Sequence, residues 1–397
     1  MKAATSHGSV GRAVMPLGTV IALSLALGTP AFAQEPIQVG MAVALTGYLA
    51  SYDGQFIDGA KLAAEHANAA GGIGGHKIDL HILDDASNAT TGVTVTNQLL
   101  NQFNISVMLN GLNSAQNQAI EPILERAKVP QIVFSVLPRD PKWAFLANLL
   151  NERSDALQID FADKSVHAKK IAIVFSQTPY GQTAATFMTA RAKNLEMEVV
   201  YSQAIEPSVT DMTPQMAALK ATGAQAVIDV LTGSTHIVQA KAAATVGLSV
   251  PIVSATDDVP THQKAAAIYP DTYFTATAVQ VYPNNADPNT KAACGAFIDT
   301  YTKAGHDLST ISGASFGWDA VQILTKAVEK AGSIQGAALH AALENVTVQG
   351  CNTLYKYTPT DHSGQMDVPN DVAIAKIGAG GKVDVVFTER KLKVTER

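Results

Sequence analysis

The sequence predicts an α/β fold of two doubly wound parallel-sheet lobes. Short segments rich in β-branched residues alternate with amphipathic segments of ten or more residues, an order typical of parallel sheets covered by helices. This alternation runs through two successive series along the chain. Residues 34–397, which follow a leader, exceed the roughly 250–300 residues at which a single core stops growing. We therefore expect two lobes rather than one core.

The leader, residues 1–33, is predicted to be a secretory signal peptide. Lys2 and Arg12 give it a positive start, and the pattern A-x-A at residues 31–33 is typical of a cleavage site. The apolar run between them, residues 14–27, is shorter than the roughly 20 residues that a membrane span needs. Because no cysteine stands at the cleavage junction, no lipid anchor is expected. The mature chain should reside in the periplasm.

The first series begins directly after the leader. A helix over 56–69 has small and apolar residues along one stripe, and the glycines of 71–75 end it because glycine tolerates a left-handed backbone. This glycine run follows a helix rather than a strand, so we interpret it as a turn and not as a phosphate-binding loop. The predicted strands are 37–44, 77–84, 105–109 and 131–134, and the helices are 56–69, 89–102 and 115–128.

The second series repeats the pattern from residue 171. Its predicted strands are 171–175, 198–205, 226–230, 251–254 and 272–276, and its helices are 181–194, 212–221 and 235–246. The remaining chain adds helices at 289–304, 315–331 and 335–344 and strands at 352–357, 372–377 and 383–387. Ligands of open parallel sheets lie beyond the carboxyl ends of the strands, so the loops after the strands should carry the site.

Composition and charge exclude several classes of protein. Formal net charge is -6, and without Lys2 and Arg12 the chain has 26 basic against 34 acidic residues. This balance argues against a nucleic-acid partner, and 47% hydrophobic with 16% charged residues excludes intrinsic disorder. The ten histidines do not show metal-ligand spacing. We expect neither a cofactor nor a metal.

Two cysteines, Cys294 and Cys351, are present. In an oxidising compartment they can pair, and a bond between them would close a 57-residue loop. The chain-entropy model assigns such a closure about 4 kcal/mol of stabilisation. Two buried free thiols are the alternative.

Residues 313–317 read G-A-S-F-G and match the G-x-S-x-G pattern of serine hydrolases. That motif needs a buried strand before Ser315, whereas residues 304–310 are polar. We interpret Ser315 as part of a helix start, with small neighbours that allow close packing. A secreted serine hydrolase using Ser315 is retained as the alternative of another class.

Several polar and aromatic side chains follow predicted strands. Tyr52 and Tyr180 lie on loops of the two different lobes, where their rings and hydroxyls would line the rim of a cleft. Asn113 and Ser114 begin a helix, whose free N–H groups attract carboxylates. Asp257 follows a strand, and a carboxylate facing a cleft can hold an ammonium group.

Longer stretches carry a family resemblance. They read LTGYLASYDGQ (45–55), DGAKLA (58–63), NAAGGIGG (68–75), DD (84–85) and PYG (179–181). In combination they resemble the periplasmic branched-chain amino-acid-binding proteins, which are type I solute-binding proteins of ABC transporters. The resemblance runs from about Ile37 to the C-terminus and is strongest over residues 37–130.

The resemblance implies a two-lobe clamp joined by a hinge of three crossings. We expect the crossings near Arg153, Val281 and Asn370. They divide the chain after the signal peptide into lobe 1 (34–152 and 282–369) and lobe 2 (153–281 and 370–397).

The resemblance also implies residue roles. Tyr52 would pack on the ligand, Ser114 would bind its carboxylate, and Tyr180 would close over it from lobe 2. Thr232 falls near another lobe 2 contact, and Asp257 falls near the acid that would hold an α-ammonium. The predicted ligand-binding set is Tyr52, Asn113, Ser114, Ser135, Tyr180, Thr232 and Asp257.

The resulting expectation is a monomeric solute-binding component of an ABC importer, which delivers its solute to a membrane permease. The solute should carry a carboxylate and be a branched-chain or other hydrophobic amino acid. The loop over 133–140 departs from the small, Thr-bearing loop of the family, since it carries Val136, Leu137 and Arg139. An aromatic carboxylate or an amide-type solute is therefore the alternative, and Arg139 could pair with an acid.

Overall fold

The computed structural model describes residues 1–11, 34–149, 151–282, 288–364 and 372–389. Most of the predicted signal peptide, and the hinge crossing expected near Asn370, lie outside these ranges. The chain from Gln34 onward forms one compact unit. Residues 1–11 contain no helix or strand. Within the described ranges, no helix has both the length and the apolar character needed to cross a bilayer.

The first sheet is built from five parallel strands. Its strands are β1 (Ile37–Val43), β2 (Ile78–Asp84), β3 (Val107–Asn110), β4 (Gln131–Val133) and β5 (Ala144–Leu146). Their order is β2-β1-β3-β4-β5, and three helices connect them, α1 (Ala50–Ala69), α2 (Ala89–Phe103) and α3 (Ser114–Ala127). β3, β4 and β5 are buried along their whole length because elements cover both faces of the sheet.

The second sheet repeats this arrangement. Its parallel strands are β6 (Lys170–Ser176), β7 (Glu198–Ile205), β8 (Ala226–Val230), β9 (Ile252–Ser254) and β10 (Thr272–Thr277). They follow the order β7-β6-β8-β9-β10, so each lobe has a strand order reversal beside its first strand. The accompanying helices are α4 (Asn151–Lys164), α5 (Pro179–Asn194), α6 (Thr213–Lys220), α7 (Thr235–Thr245) and α8 (Val259–Ile268).

The C-terminal part of the chain adds helices and a ribbon to the first lobe and two strands to the second sheet. α9 (Pro288–Lys303), α10 (Ile311–Ala331), α11 (Gly336–Leu343) and a two-stranded ribbon of β11 (Thr347–Gln349) and β12 (Leu354–Lys356) accompany the first sheet. β13 (Val372–Ile377) and β14 (Val383–Phe387) then extend the second sheet next to β10. A disulfide joins Cys294 of α9 to Cys351, so the two cysteines are bonded rather than free.

The predicted fold class is confirmed, with two refinements. β13 and β14 run antiparallel, so the second sheet is mixed at one edge. The elements β5, α4, α8 and β11 were not predicted. α4 is buried without a break from Arg153 to Ala162, which removes the amphipathic period by which a helix is detected. The positions of the hinge crossings stay a prediction.

The G-x-S-x-G segment lies inside α10 and is not a strand-to-helix elbow, so the hydrolase interpretation of Ser315 is wrong. Ser315 is fully buried, donates to the carbonyl of Ser312 at 2.6 Å, and accepts from Asn352 Nδ2 at 2.7 Å. The glycines serve packing instead. A Cβ on Gly317 would lie 2.0 Å from the Phe56 carbonyl oxygen, so glycine lets α10 approach α1 closely.

Candidate functional site

An inner cavity of about 30 Å³ lies where the carboxyl ends of the two sheets meet. Tyr180, Thr232 and Thr256 line it from the segments that follow β6, β8 and β9. The other lining residues come from the first sheet's loops and from the starts of α1 and α4. The complete lining is Tyr52, Leu112, Phe134, Ser135, Val136, Asn148, Asn151, Tyr180, Thr232 and Thr256. This is the edge at which open parallel sheets bind ligands.

The first lobe supplies an aromatic wall. Tyr52 is 3% exposed, and its ring centroid lies 5.4 Å from that of Phe134, which in turn stacks on Phe56 at 5.0 Å. The Tyr52 hydroxyl lies 2.8 Å from Ser312 Oγ of α10. Burial raises the pKa of Tyr52 well above its usual range, so this hydroxyl stays neutral. Tyr52 therefore presents an apolar ring with a fixed orientation.

Beside this wall, the segment after β4 supplies polar groups. Ser135 is 5% exposed and lines the cavity. Asn148 Nδ2 donates to the Phe134 carbonyl at 2.7 Å, and Asn148 Oδ1 accepts from the Leu149 N–H at 2.7 Å. Asn148 thus ties the end of β5 to the segment that carries Ser135.

Tyr180 closes the cavity from the second lobe. The hydroxyl of Thr178 caps α5 by accepting from the Gly181 N–H at 3.3 Å, and Pro179 stands in the first turn. A Cβ on Gly181 would lie 2.1 Å from the Ser176 carbonyl oxygen, so this close approach requires glycine. Burial first, and then the charge of Asp155, raise the pKa of Tyr180 well above its usual range. Its hydroxyl is a neutral hydrogen-bonding group.

The two tyrosines differ from expectation in their local structure. Tyr52 and Tyr180 were predicted on loops, but they lie in the first turns of α1 and α5. Asp53 in the first turn of α1 accepts hydrogen bonds from the N–H groups of Ala44 and Leu112, both at 2.9 Å, which tie the helix start to the segments after β1 and β3. Both rings are thus carried by helices and not by loops.

Asn113 and Ser114 lie outside the inner cavity lining. Asn113 caps α3 by accepting from the Gln116 N–H at 3.2 Å, and Ser114 is the first residue of that helix. Both are about 5% exposed. In this arrangement they stabilise the helix start, while Leu112 of the same segment reaches the cavity.

Asp257 was expected to face the cleft and hold an ammonium group, and it lies outside the inner cavity lining. It is fully buried, and its carboxylate accepts from the N–H groups of Gly233 at 2.5 Å and Asp258 at 2.7 Å. His236 Nε2 lies 3.5 Å from Asp257, and His236 Nδ1 lies 3.3 Å from Asp229. Asp257 therefore serves as a counter-ion inside the second lobe.

His236 is a charged group within this cluster. Burial alone lowers the pKa of His236, but the carboxylates of Asp229 and Asp257 outweigh burial and raise it to about 10. The neighbouring His262 stacks on Phe274 at 4.0 Å, and burial lowers its pKa to about 3. His236 is thus an imidazolium and His262 a neutral ring.

The two lobes also touch next to the cavity. Ser51 Oγ of α1 donates to Asp258 Oδ2 at 2.5 Å. A Cβ on Gly233 would lie 2.2 Å from the Tyr48 carbonyl oxygen, so the chain segments of the two lobes are in close contact here. Asp258 also caps α8 through the Thr261 N–H at 2.5 Å, which fixes the acceptor in place.

An outer cleft of about 1080 Å³ adjoins the inner cavity, with which it shares Val136, Asn151 and Tyr180. One wall is the segment of residues 136–139, which Gln118 holds by accepting from the Arg139 N–H at 2.9 Å. The opposite wall is a face of α5. Its contributors include Pro179, Thr183, Ala184, Phe187 and Ala190.

Four of the seven predicted residues meet in the inner cavity, namely Tyr52, Ser135, Tyr180 and Thr232. Val136 also lines the cavity and was named only as a departure from the family loop, whereas Leu112 and Thr256 lie in loops that the strand pattern places at this edge but were not singled out. Asn148 and Asn151 carried no usable signal, since Asn148 follows β5 and Asn151 begins α4, and neither element was predicted.

Comparisons with known proteins agree with this architecture. A family model described as periplasmic binding protein matches residues 36–382. Leu/Ile/Val-binding protein homolog 7 of Brucella suis is 25% identical over 371 residues, covering 85% of this chain and 88% of the relative. An amino acid binding protein of Pseudomonas aeruginosa is 27% identical over 212 residues, covering 52% of this chain. That match spans 57% of the Pseudomonas protein's own length.

Solved structures share the fold. A type 1 periplasmic binding protein from Bordetella pertussis has a TM-score of 0.77 at 24% identity and covers 89% of this chain and 100% of its own. A Rhodopseudomonas palustris solute-binding protein in complex with 4-hydroxybenzoate has a TM-score of 0.76 at 19% identity, and the match covers 91% of this chain and 98% of that protein. A branched-chain amino acid binding protein from Streptococcus pneumoniae in complex with isoleucine has a TM-score of 0.73 at 20% identity. This match covers 89% of this chain and 99% of that protein.

Two sheets of the same strand order, a cavity between their carboxyl ends and a family match over most of the chain lead to one conclusion. The chain belongs to the periplasmic binding protein family, and its fold is that of the type 1 periplasmic binding proteins.

Proposed function

We propose that the protein captures a small carboxylate-bearing solute in the periplasm and delivers it to the permease of an ABC transporter. The observation that carries this proposal is the inner cavity, which Tyr52 closes from one lobe and Tyr180 from the other. Water is largely excluded there, so a bound solute must find hydrogen-bond partners in the protein. The hydroxyls of Ser135, Thr232 and Thr256 are available for that role.

The lining favours a solute with an apolar body, whose carboxylate would be bound by uncharged hydrogen-bonding groups. Leu112, Phe134 and Val136 provide apolar area, and none of the residues that line the inner cavity carries a formal charge or an imidazole. The cavity as described has room for about one water molecule. Solute entry therefore requires the lobes to part and close again. A cavity lining without an acid, a base or a nucleophilic thiol favours solute binding over catalysis.

A branched-chain or other hydrophobic amino acid is the first candidate solute. The relatives named for leucine, isoleucine and valine support it. An aromatic carboxylate or amide is the second candidate, and a specific observation favours it. Asp257, the acid expected to hold an α-ammonium, already has Gly233, Asp258 and His236 as partners.

The test is a thermal-shift screen of the chain from Gln34 onward against amino acids, hydroxybenzoates and aliphatic amides, followed by calorimetry on each stabilising solute. A ligand at 100 times its Kd stabilises the folded state by about 2.7 kcal/mol, which raises the Tm measurably. Tyr180→Ala should weaken binding roughly tenfold or more, because it removes the lobe 2 wall.

The matched control is Tyr201→Ala, on edge strand β7 of the same lobe and away from the cavity lining. It should leave the affinity unchanged. A panel in which no solute shifts the Tm, or equal affinities for the wild type and Tyr180→Ala, would refute the proposed function.

A further inference from the structure

A buried acid, Asp155, lines the outer cleft. It stands in the first turns of α4 and is 1% exposed. In the part of the chain that the structure describes, its Oδ2 has no hydrogen-bond partner and its carboxylate forms no ion pair. Buried polar atoms nearly always have partners, so an unpartnered acid on the wall of a cleft requires an explanation.

The burial of Asp155 without a partner is energetically costly. Burial, and then the nearby charge of Glu152, raise the pKa of Asp155 well above its usual range. A carboxyl group in such surroundings gains most from a partner that arrives with a nitrogen donor, since an unpaired charge in an apolar site is strongly unfavourable. A role in holding the fold would instead have provided a partner within the chain.

The outer cleft offers the space for such a partner. At about 1080 Å³ it is of the size of clefts that enclose drug-sized molecules. Leu137, Leu146 and the α5 residues Ala184 and Phe187 make much of its wall apolar. Because it continues from the inner cavity past Tyr180, one molecule can occupy both spaces.

We propose that the outer cleft is a second subsite, in which Asp155 accepts a hydrogen bond from a nitrogen donor on the part of the solute that projects from the inner cavity. The inference rests on the proposed function and names its substrate class. The solute is elongated and of dipeptide size, with a carboxylate at the end that enters the inner cavity. Its body is apolar, and an amine stands toward the other end.

The test uses a pair of probes that differ only in one amine, leucyl-leucine and 4-methylpentanoyl-leucine. Calorimetry measures the Kd of both with the wild type, Asp155→Leu, Asp155→Asn and the control Glu152→Gln. Glu152 is a second acid of α4 on the same cleft, so its variant replaces an acid by its amide on the same helix. Removing an unpartnered buried acid should not impair folding, and the Asn variant preserves the side-chain shape in any case.

We expect the wild type to bind leucyl-leucine roughly tenfold or more tightly than its deaminated analogue, the scale of a hydrogen bond to a charged group. The ratio should fall to near one in both Asp155 variants and persist in Glu152→Gln. Equal binding of the two probes by the wild type would overturn the subsite while leaving the proposed function intact. So would binding of a single amino acid or aromatic acid without binding of either probe. If nothing in the panel or the pair binds, the proposed function itself fails.

Discussion

His236 shows how one side chain can organise the core of a lobe. It lies between Asp229 and Asp257, which are both fully buried, and it balances part of their charge. A buried ion pair stabilises the folded state little more than apolar residues of the same volume would. Removal of one partner, however, leaves the other charges uncompensated.

We therefore expect His236→Leu to lower the free energy of unfolding by about 3–5 kcal/mol at pH 7. Urea denaturation followed by circular dichroism measures this. The comparison variant is His262→Phe, which replaces a neutral ring stacked on Phe274 and should cost less than about 1.5 kcal/mol. Similar losses for the two variants would show that the ion pairs contribute no stability.

The same histidines set the pH range of stability. The folded-state pKa of His236 is raised to about 10, so its contribution is fully present below pH 6.5 and is lost as the pH rises through 10. The pKa of His262 is lowered to about 3, so the folded state loses stability as the pH falls below 6.5. His262→Phe should flatten the acid side of the stability profile, and His236→Leu the alkaline side.

For single residues, the sequence indicated which side chains lie near the site better than it indicated what those side chains contact. Asp257 was predicted to follow a strand, and it does lie in the loop between β9 and α8. Its partner His236 stands in α7, and no sequence pattern shows that the two side chains are neighbours. The same reason hid Asp155, since a buried acid gives no signal of its own in a helix that is itself undetected.

Among the elements, the packing of α1 on α10 depends on glycine. A Cβ on Gly59 would lie 1.8 Å from the Ala314 carbonyl oxygen, whereas a Cβ on Gly54 of the same helix would meet no atom within 4 Å. The two positions thus form a matched pair within one helix.

Gly59→Ala should lower the free energy of unfolding by about 1–3 kcal/mol or more, because the added methyl group must push the helices apart. Gly54→Ala should raise it by up to about 1 kcal/mol, since alanine is the better helix former. Thermal and urea denaturation of the two variants decide the matter. A neutral Gly59→Ala would mean that α1 and α10 do not pack as closely as described.

The disulfide constrains the C-terminal part of the first lobe. It spans 57 residues, and the chain-entropy model predicts that the double variant Cys294→Ala/Cys351→Ala loses about 4 kcal/mol of stability. A reducing agent should destabilise the wild type by a similar amount and leave the double variant unchanged. A reductant effect on the double variant would point to a cause other than this bond.

Helices that bury only one face and strands of seven or eight residues were predictable from the sequence. β1, β6 and β7 follow the expected ranges closely, and so does α2, which has one buried stripe. β5 has three residues, and α4 is buried on all sides, so neither shows a period. Non-local pairing also decided the direction of β13, which joins β10 antiparallel.

For the whole molecule, the strand pattern was sufficient to predict two lobes with a site between them. The inner cavity is lined by segments that follow strands of both sheets, as the carboxyl-edge rule requires. Its size and the neighbouring outer cleft depend on how the lobes approach each other, which is a property of tertiary contacts and not of local sequence.

The approach of the lobes offers a test of closure. Ser51 Oγ and Asp258 Oδ2 form a hydrogen bond between lobes at 2.5 Å, and it exists only while the lobes are together. In the proposed mechanism, anything that stabilises the closed form adds to the apparent affinity. Ser51→Ala should therefore weaken solute binding by about threefold to tenfold, while the Tm without ligand stays the same.

The control is Ser87→Ala, because Ser87 Oγ donates to the Thr46 carbonyl at 2.9 Å within the first lobe alone. Its loss should lower stability and leave the affinity unchanged, since the bond is present whether the lobes are open or closed. Calorimetry with the tightest solute from the panel, together with a melting curve of each ligand-free variant, separates the two effects. If Ser51→Ala lowered the ligand-free Tm and kept the affinity, the two lobes would be joined permanently, and solute capture by closure would have to be abandoned.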